Sequence, residues 1–375
     1  MDTDHAYGYR SQDPMTIKNL VSYGLLLFIP IAIGAERLGW GALTIFGLSA
    51  VAILPLAIWL STATEELALI TGPTIGGLVN AVFGNATELI IALVALRSGL
   101  IDIVKASITG SILANTLLVL GLSMFVGGLR YKEQTFNQKV AGINGSTMGL
   151  AVTAVLIPAL VINTSNIVEP GVIRQLSLVV AGVMMAVYAL TLLFSLKTHS
   201  YLYDVGVSDH PQGEGEGHGE EKPNVWLWVG VLLVATLGVA VMSEIFVGAV
   251  EEAAESLGLT PLFTGVILLP LVGGAAEYVT AVRMATKNNM DLAMSVAMGS
   301  SLLVALLVAP LLVIVGEFIH QPMDLNFGLF EVVAVAVAVS TVNLISQDGR
   351  SNWLEGVLLL STFALLGAAF FFHPV

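Results

Sequence analysis

One register lays the second half of this chain over the first. The carboxylates Glu88 and Glu277 are 189 residues apart, and the same shift carries Glu66 onto Glu255, Thr71 onto Thr260, Gly76 onto Gly265 and Gly84 onto Gly273. It also carries Asp102 onto Asp291, Gly110 onto Gly299, Ser111 onto Ser300 and Gly127 onto Gly316. Leucines match by chance in an apolar chain, whereas acids and glycines sharing one shift do not. Around these markers lie apolar stretches long enough for helices that cross a hydrocarbon core of about 30 Å. Each copy holds five such stretches, an odd number, so the second copy must enter the membrane from the opposite side. That is an inverted-topology repeat, a common plan of membrane proteins that alternate between two faces.

The fold class expected is an all-α polytopic membrane protein with eleven transmembrane helices, one extra N-terminal helix followed by two five-helix inverted-topology repeats. The spans are expected near 17–34, 41–61, 74–97, 103–128, 140–162, 171–196, 225–248, 262–285, 291–316, 327–346 and 353–372. The chain then divides into 1–36 (N-terminal tail and first helix), 37–197 (first repeat), 198–224 (acidic linker) and 225–375 (second repeat). Composition agrees with the class: 56% of the 375 residues are hydrophobic, only 11% are charged, and mean hydropathy is +0.89. A soluble protein carries roughly twice that share of charge. No strong period-two alternation marks an outer-membrane barrel.

The linker holds Asp204, Asp209, Glu214, Glu216, Glu220 and Glu221 among glycines and three histidines. Such a stretch buries too little apolar surface to fold alone, and it lacks the ligand spacing of an EF-hand. Cysteine is absent, which excludes disulfides and thiolate chemistry, and the formal charge of −13 argues against nucleic acid as a partner. Residues Met1–Thr16 show no basic region followed by a cleavage site, so no removable signal is expected. With the N-terminus inside, Arg10, Lys18, Arg130, Lys132, Lys139, Lys197, Lys222, Arg283, Lys287 and Arg350 fall on the cytoplasmic side. Only Arg37, Arg97, Lys105 and Arg174 fall outside. That bias places the N-terminus and linker in the cytoplasm and the C-terminus outside. The short chain and compact loops favour a bacterial cell membrane, and the sequence leaves a homo-oligomer open.

Glu88 and Glu277 lie near the middle of their spans, where a charged carboxylate is costly and marks function by default. Desolvation favours the protonated form of an empty carboxyl. A divalent cation competes with that proton for the same oxygens, so a paired site of this kind can trade one for the other. Calcium takes about six to eight oxygens, and two carboxylates supply at most four. Gly84 and Asn85, like Gly273 and Gly274, weaken the helix just before each acid and can free carbonyls towards an ion. Ser111 and Asn115 on the fourth span, and Ser300 and Ser301 on the ninth, stand at matching depth. Ordinary interhelical hydrogen bonding accounts for these four equally well.

Further acids are candidates for accessory roles. Glu65 and Glu66 are expected to end the second span, and Glu251, Glu252 and Glu255 the seventh, at opposite faces where each set would gather cations. A solvated helix end explains them as readily. Glu244 lies within the seventh span with Pro55 at its mirror position, and is read as a second proton carrier or a partner for Arg283. Asp102, Asp291 and Glu331 start their spans, where acids suit the helix dipole.

The run Gly84-Asn85-Ala86-Thr87-Glu88-Leu89, preceded by Gly76-Gly77-Leu78-Val79-Asn80-Ala81, resembles the first signature of the calcium/proton exchanger (CAX) family. Gly273-Gly274-Ala275-Ala276-Glu277 with Val279-Thr280-Ala281-Val282 is similar to its second signature, and Gly299-Ser300-Ser301 to the motif one span later. The likeness covers nearly the whole chain. It implies that Glu88 and Glu277 are central calcium and proton ligands in an antiporter working by alternating access, with transported Ca2+ and H+ and no cofactor. Three positions depart from the pattern: Gly274 where Asn is usual, Tyr278 where His is usual, and Leu303 where a Gln usually follows the paired serines. The fewer side-chain oxygens in the second half leave a Na+/H+ or Na+/Ca2+ antiporter on the same scaffold as the alternative. A cation channel is a more distant one, and no nucleophile–base or metal–histidine motif points to an intramembrane enzyme.

Overall fold

The computed structural model describes residues 24–165, 169–203 and 224–373. Residues 17–23 of the expected first span and 204–223 of the acidic linker lie outside these residues. What is described is a helical bundle, and its helices cross or half-cross at glycines and prolines. Helix α1 is Phe28–Arg37. Helix α2, Ala42–Gly72, ends where Gly72 takes φ 82° and ψ 174°, a backbone region closed to residues with a Cβ. A half-helix α3, Ile75–Phe83, follows, then α4, Ala86–Arg97. Helix α5 is Ile101–Tyr131, α6 is Gln138–Ser165 and α7 is Pro170–Leu193, the last continuing as a π-helical turn to Thr198.

The second half reuses this plan. Helix α8 is Val225–Ser256, and α9 is the half-helix Pro261–Gly273, its first turn held by Thr260 Oγ1 accepting from Phe263 N at 3.1 Å. Helix α10 is Ala275–Thr286, α11 is Met290–Phe318, α12 is Leu329–Ile345 and α13 is Trp353–Phe372. The shift of 189 carries the ends of α4 onto those of α10. It also brings the π-helical segment Ala114–Val119 of α5 to within a residue of Val304–Val308 in α11. A widened turn is a local departure from the 3.6-residue helix, and finding it at the same place twice extends the repeat from side chains to backbone.

Among the described residues, 8 helices are long and apolar enough to cross a membrane, or up to 10 when the pairs α3–α4 and α9–α10 each count as one span. The expected second span stops too early. Helix α2 runs 31 residues, to Gly72 rather than to residue 61. At 1.5 Å per residue that is about 46 Å, well beyond a hydrocarbon core of about 30 Å. Glu65 and Glu66 therefore lie inside a continuous helix and do not terminate it.

Burial sorts the helices. The apolar windows of α5 and α11 are 72% and 67% buried, whereas those of α7, α8 and α13 are 22%, 22% and 17% buried. The first two are central and the last three face lipid, which is where exposed leucines, valines and tryptophans belong in a bilayer. At one end of the bundle, β1 (Glu133–Thr135) pairs antiparallel with β2 (Arg350–Asn352), Glu133 opposite Asn352. Gln134 Nε2 donates there to Ala285 O (2.9 Å) and Asn288 Oδ1 (3.0 Å), and Asn137 N donates to Asp291 Oδ1 (2.5 Å). At the opposite end Lys105 Nζ donates to Asp324 Oδ1 (2.5 Å) and Arg174 pairs with Glu317. Glu331 caps α12 by accepting from Gly328 N (2.9 Å) and ties it to α5 by accepting from Thr109 Oγ1 (3.0 Å).

Candidate ion-binding site

Both expected helix breaks are present. At Gly84–Asn85 the chain bends by 40° between α3 and α4, with Asn85 at φ −117° and ψ 33°. At Gly274 it bends by 61° between α9 and α10. Each break leaves an acid in the first turn of the following helix, Glu88 in α4 and Glu277 in α10. Backbone N–H groups at a helix start favour negative charge nearby, so the breaks make these carboxylates tolerable at depth.

The two breaks meet. A Cβ on Gly273 would lie 2.9 Å from Glu88 Cγ, so only glycine lets the first carboxylate rest against the second break. Glu88 and Glu277 are 9% and 8% exposed, and their charges are close enough to act on each other. Each keeps one oxygen, Oε2, buried with no hydrogen-bond partner. Buried polar atoms normally find partners. Two orphaned carboxylate oxygens on adjoining helix breaks therefore fit a cation or a proton as the partner. The Asn85 amide is near enough to influence Glu88 but makes no well-formed hydrogen bond to it, and Asn115 Nδ2, in the π-helical turn of α5, is also unpartnered.

A cavity of about 430 Å3 reaches Glu277 from one side. Its walls include Asn80, Asn85, Asn144, Gly299 and Ser300, and its outer part carries Glu65, Ser195 and Tyr203. Tyr203 lies in the first residues of the linker, and Asn137, just after β1, donates through Nδ2 to the neighbouring Leu202 O at 3.2 Å, so the cavity opens at the end that carries the β1–β2 ribbon. Tyr203 has its hydroxyl buried without a partner, and burial pushes this phenol above its ordinary value of 10.

The opposite side is shut by contact between backbones. A Cβ on Gly110 of α5 would lie 2.1 Å from Val266 O and 2.7 Å from Pro270 Cγ, and one on Gly265 of α9 would lie 2.4 Å from Ala106 Cβ. The mirror of Gly110 is Gly299, which has nothing within 4 Å of its missing Cβ and instead lines the cavity. One half is closed where the other is open.

The remaining expected residues divide. Glu65 is exposed on the cavity wall, with Ser61 Oγ donating to its Oε1 at 3.3 Å, whereas Glu66 is half-buried and off the wall. Ser300 faces the cavity and Ser111 is buried at its mirror position. Ser301 turns away: it donates to Ala297 O at 3.0 Å and borders a separate small space with Met148 and Val335. Glu244 pairs with Arg97 at 3.6 Å, both side chains largely exposed, and not with Arg283. Glu251, Glu252 and Glu255 are exposed on the last turns of α8, at the end away from the cavity mouth. Asn80, Asn144 and Tyr203 were missed as lining residues. Asn80 stands in the quoted glycine-rich run and was open to notice, while the other two reach the cavity only through helix packing.

A helical membrane protein built from inverted repeats, with two broken helices crossing at paired buried carboxylates, is a secondary transporter for cations. The model of the sodium/calcium exchanger protein family matches residues 41–197 and 227–372, and the chain belongs to that family, within its calcium/proton exchanger branch. The chain is 58% identical over 369 residues to a Ca2+/H+ antiporter of Synechocystis sp., covering 96% of this chain and 99% of that protein. It is 41% identical over 349 residues to the Ca2+/H+ antiporter ChaA of Bacillus subtilis, covering 92% and 96%. The solved structure of native YfkE is similar at a TM-score of 0.81 and 37% identity, covering 94% of this chain and all of that one (100%).

Proposed function

We propose that this protein exports Ca2+ from the cytoplasm in exchange for H+ by alternating access, and that Glu88 and Glu277 are the shared sites. The observation that carries the reading is the pair of orphaned carboxylate oxygens on adjoining helix breaks, one of them at the floor of the cavity. The names of the Synechocystis and Bacillus relatives support the choice of ions. Ca2+ arriving through the cavity binds the ionised pair, its two charges offsetting the two carboxylates. When the open side closes and the other opens, Ca2+ leaves and protons take its oxygens. The protonated pair is neutral and can return through the low-dielectric bundle at little cost.

Gly84, Asn85, Gly273 and Gly274 supply the broken geometry, with Ser111, Asn115 and Ser300 as polar support. Glu65 gathers cations at the mouth, and Glu251, Glu252 and Glu255 do the same at the far side. The repeats divide at the linker, as 37–197 and 225–375. The charge bias of the loops supports a cytoplasmic linker, and so a cytoplasmic cavity mouth, and the bacterial relatives support a bacterial cell membrane.

The test is calcium uptake into everted vesicles or proteoliposomes under an imposed inside-acid gradient, with and without a protonophore. Uptake should require the gradient and vanish in Glu88→Gln. Uptake that ignores pH would overturn proton coupling.

A further inference from the structure

The two halves place their neutral polar side chains differently. The first half brings amides to the crossing, Asn85 at its break and Asn115 in the π-helical turn of α5. Their mirrors are Gly274 and Val304, which carry no side-chain oxygen. Tyr278 does not make up the difference, because its hydroxyl is engaged with Pro270 O, to which it donates at 2.7 Å.

Hydroxyls on the cavity wall fall into two groups. Thr64 and Thr191 donate to carbonyls one turn back (Leu60 O at 2.8 Å, Val187 O at 2.9 Å), Ser195 donates to Leu192 O (3.3 Å), and Ser61 to Glu65. Donation to a carbonyl of its own helix is the ordinary way for a helical serine or threonine to be satisfied. Thr280, Ser295 and Ser300, from α10 and α11, line the same cavity and make no hydrogen bond among the described residues. Their oxygens are not sealed inside the protein, so they are open to the cavity. The mirrors of Thr280 and Ser295 are Ile91 and Ala106, so these two hydroxyls belong to the second half alone.

The helices fix where these two stand. Thr280 follows Glu277 by three residues in α10, which puts them on one face with Cβ atoms about 5–6 Å apart. It lies about 4.5 Å further along the axis. That is the direction of the cavity mouth, since Gln134 of the ribbon holds Ala285 near the end of α10. Helices α10 and α11 pack on each other through the short turn 287–289. Thr280 stands eight residues before the middle of that turn and Ser295 seven after it, so the two reach matching depth. Two calcium–oxygen distances of about 2.4 Å together span about 4.8 Å, enough for one ion to join a carboxylate and a hydroxyl on neighbouring turns.

We infer that Thr280 and Ser295 are the second half's neutral cation ligands while the cavity is open: their hydroxyl oxygens replace water on Ca2+ as it settles on Glu277. This rests on the reading of Glu88 and Glu277 as the cation site. Two carboxylates leave calcium short of the six to eight oxygens it takes, and the hydroxyls supply two more. Being neutral, they add to Ca2+ affinity without joining the exchange of protons.

The experiment is direct binding of 45Ca2+ to purified wild type, Thr280→Val, Thr280→Ser, Ser295→Ala, Thr191→Val and Glu88→Gln, with exchange followed across pH. Thr280→Val keeps the shape of the side chain and removes the hydroxyl. Its Kd should rise about tenfold, the scale of one oxygen contact to a charged group, and Ser295→Ala should act similarly. Neither should move the midpoint of the pH profile, and Thr280→Ser should restore binding. Thr191→Val is the control: it takes from the same wall a hydroxyl already bonded to Val187 O, and should bind within twofold of wild type. The inference fails if either Thr280→Val or Ser295→Ala binds within twofold of wild type, or if Thr191→Val weakens binding as much as they do. Loss of binding in Glu88→Gln beside any of those results would leave the glutamate reading standing. If Glu88→Gln binds normally, the glutamate site itself fails and takes the inference with it.

Discussion

The contact between α5 and α9 and its mirror between α11 and α3 each centre on a glycine of the repeat and stand in opposite conditions. In the first, Gly110 lies against Val266 and Pro270 so closely that no Cβ fits. In the second, Gly299 faces open space and lines the cavity. Since the glycine is present in both halves, either half carries the residue that a close contact needs, although the surfaces facing the two glycines differ. The mirrors of Val266 and Pro270 are Gly77 and Ala81, so the opposite state would dock Gly299 there. Leu196, whose Cδ2 now lies 2.4 Å from where a Cβ of Gly77 would be, would have to leave. On the proposed alternating access, the change of face would trade one glycine contact for its mirror image.

The carboxylates should be indifferent to which contact is made, and removing either should have the largest effect. Glu88→Gln and Glu277→Gln are each expected to abolish exchange, by about a hundredfold or more given the cost of losing a buried charge from an ion site. The variants should elute as folded protein in size-exclusion chromatography. Near-normal transport by either would remove that residue from the site.

Substitutions at the glycine contacts would break the comparison in opposite directions. Gly110→Val cannot form the present closed contact, whereas Gly299→Val fits the present state and blocks the swap. Both should slow exchange by about tenfold or more, since overpacking a tight contact costs about 1–3 kcal/mol. Because the chain has no cysteine, a thiol at Ser295→Cys on the cavity wall gives an uncluttered readout. It should label faster than wild-type background in Gly299→Val and slower in Gly110→Val. Equal labelling would mean that the contacts do not set the state.

Smaller effects are expected away from the crossing. Glu65→Gln removes a charge from the cavity wall but no ligand, so KM for Ca2+ should rise about two- to threefold and the change should shrink at high salt. Exchange should stay within about twofold for Arg97→Gln, because its ion pair with Glu244 is largely exposed and such pairs are worth little. A large loss there would restore Glu244 as a proton carrier.

Much of this was legible in the chain. Acids and glycines are scarce against an apolar background, so Glu88, Glu277 and the glycines before them announced both the repeat and the helix breaks. What hydropathy could not show was how far a helix projects beyond the bilayer, because residues 62–72 are too polar to count as a span yet continue α2 without interruption. Nor could it choose between Ser300 and Ser301, which share a depth and differ only by the turn of one residue around the helix. Asn144 comes from α6 and Tyr203 from the turn beyond α7, and their place on the wall is a product of packing alone. Tyr278 was visible as a departure from the usual pattern, but its fold back onto Pro270 O needed coordinates.

The small ribbon between Glu133–Thr135 and Arg350–Asn352 bears on how the protein is made. It joins segments separated by most of the chain, so neither strand has its partner until the ribosome has nearly finished. Glu133–Thr135, on the corner after α5, is made well before the strand that pairs with it. Closing that long loop is costly in chain entropy, although the cost grows only slowly with length. It becomes favourable when α12 and α13 insert and bring Arg350–Asn352 alongside. The ribbon can therefore pair only once both repeats are in place, and a chain truncated before α12 would leave Glu133–Thr135 without its partner strand.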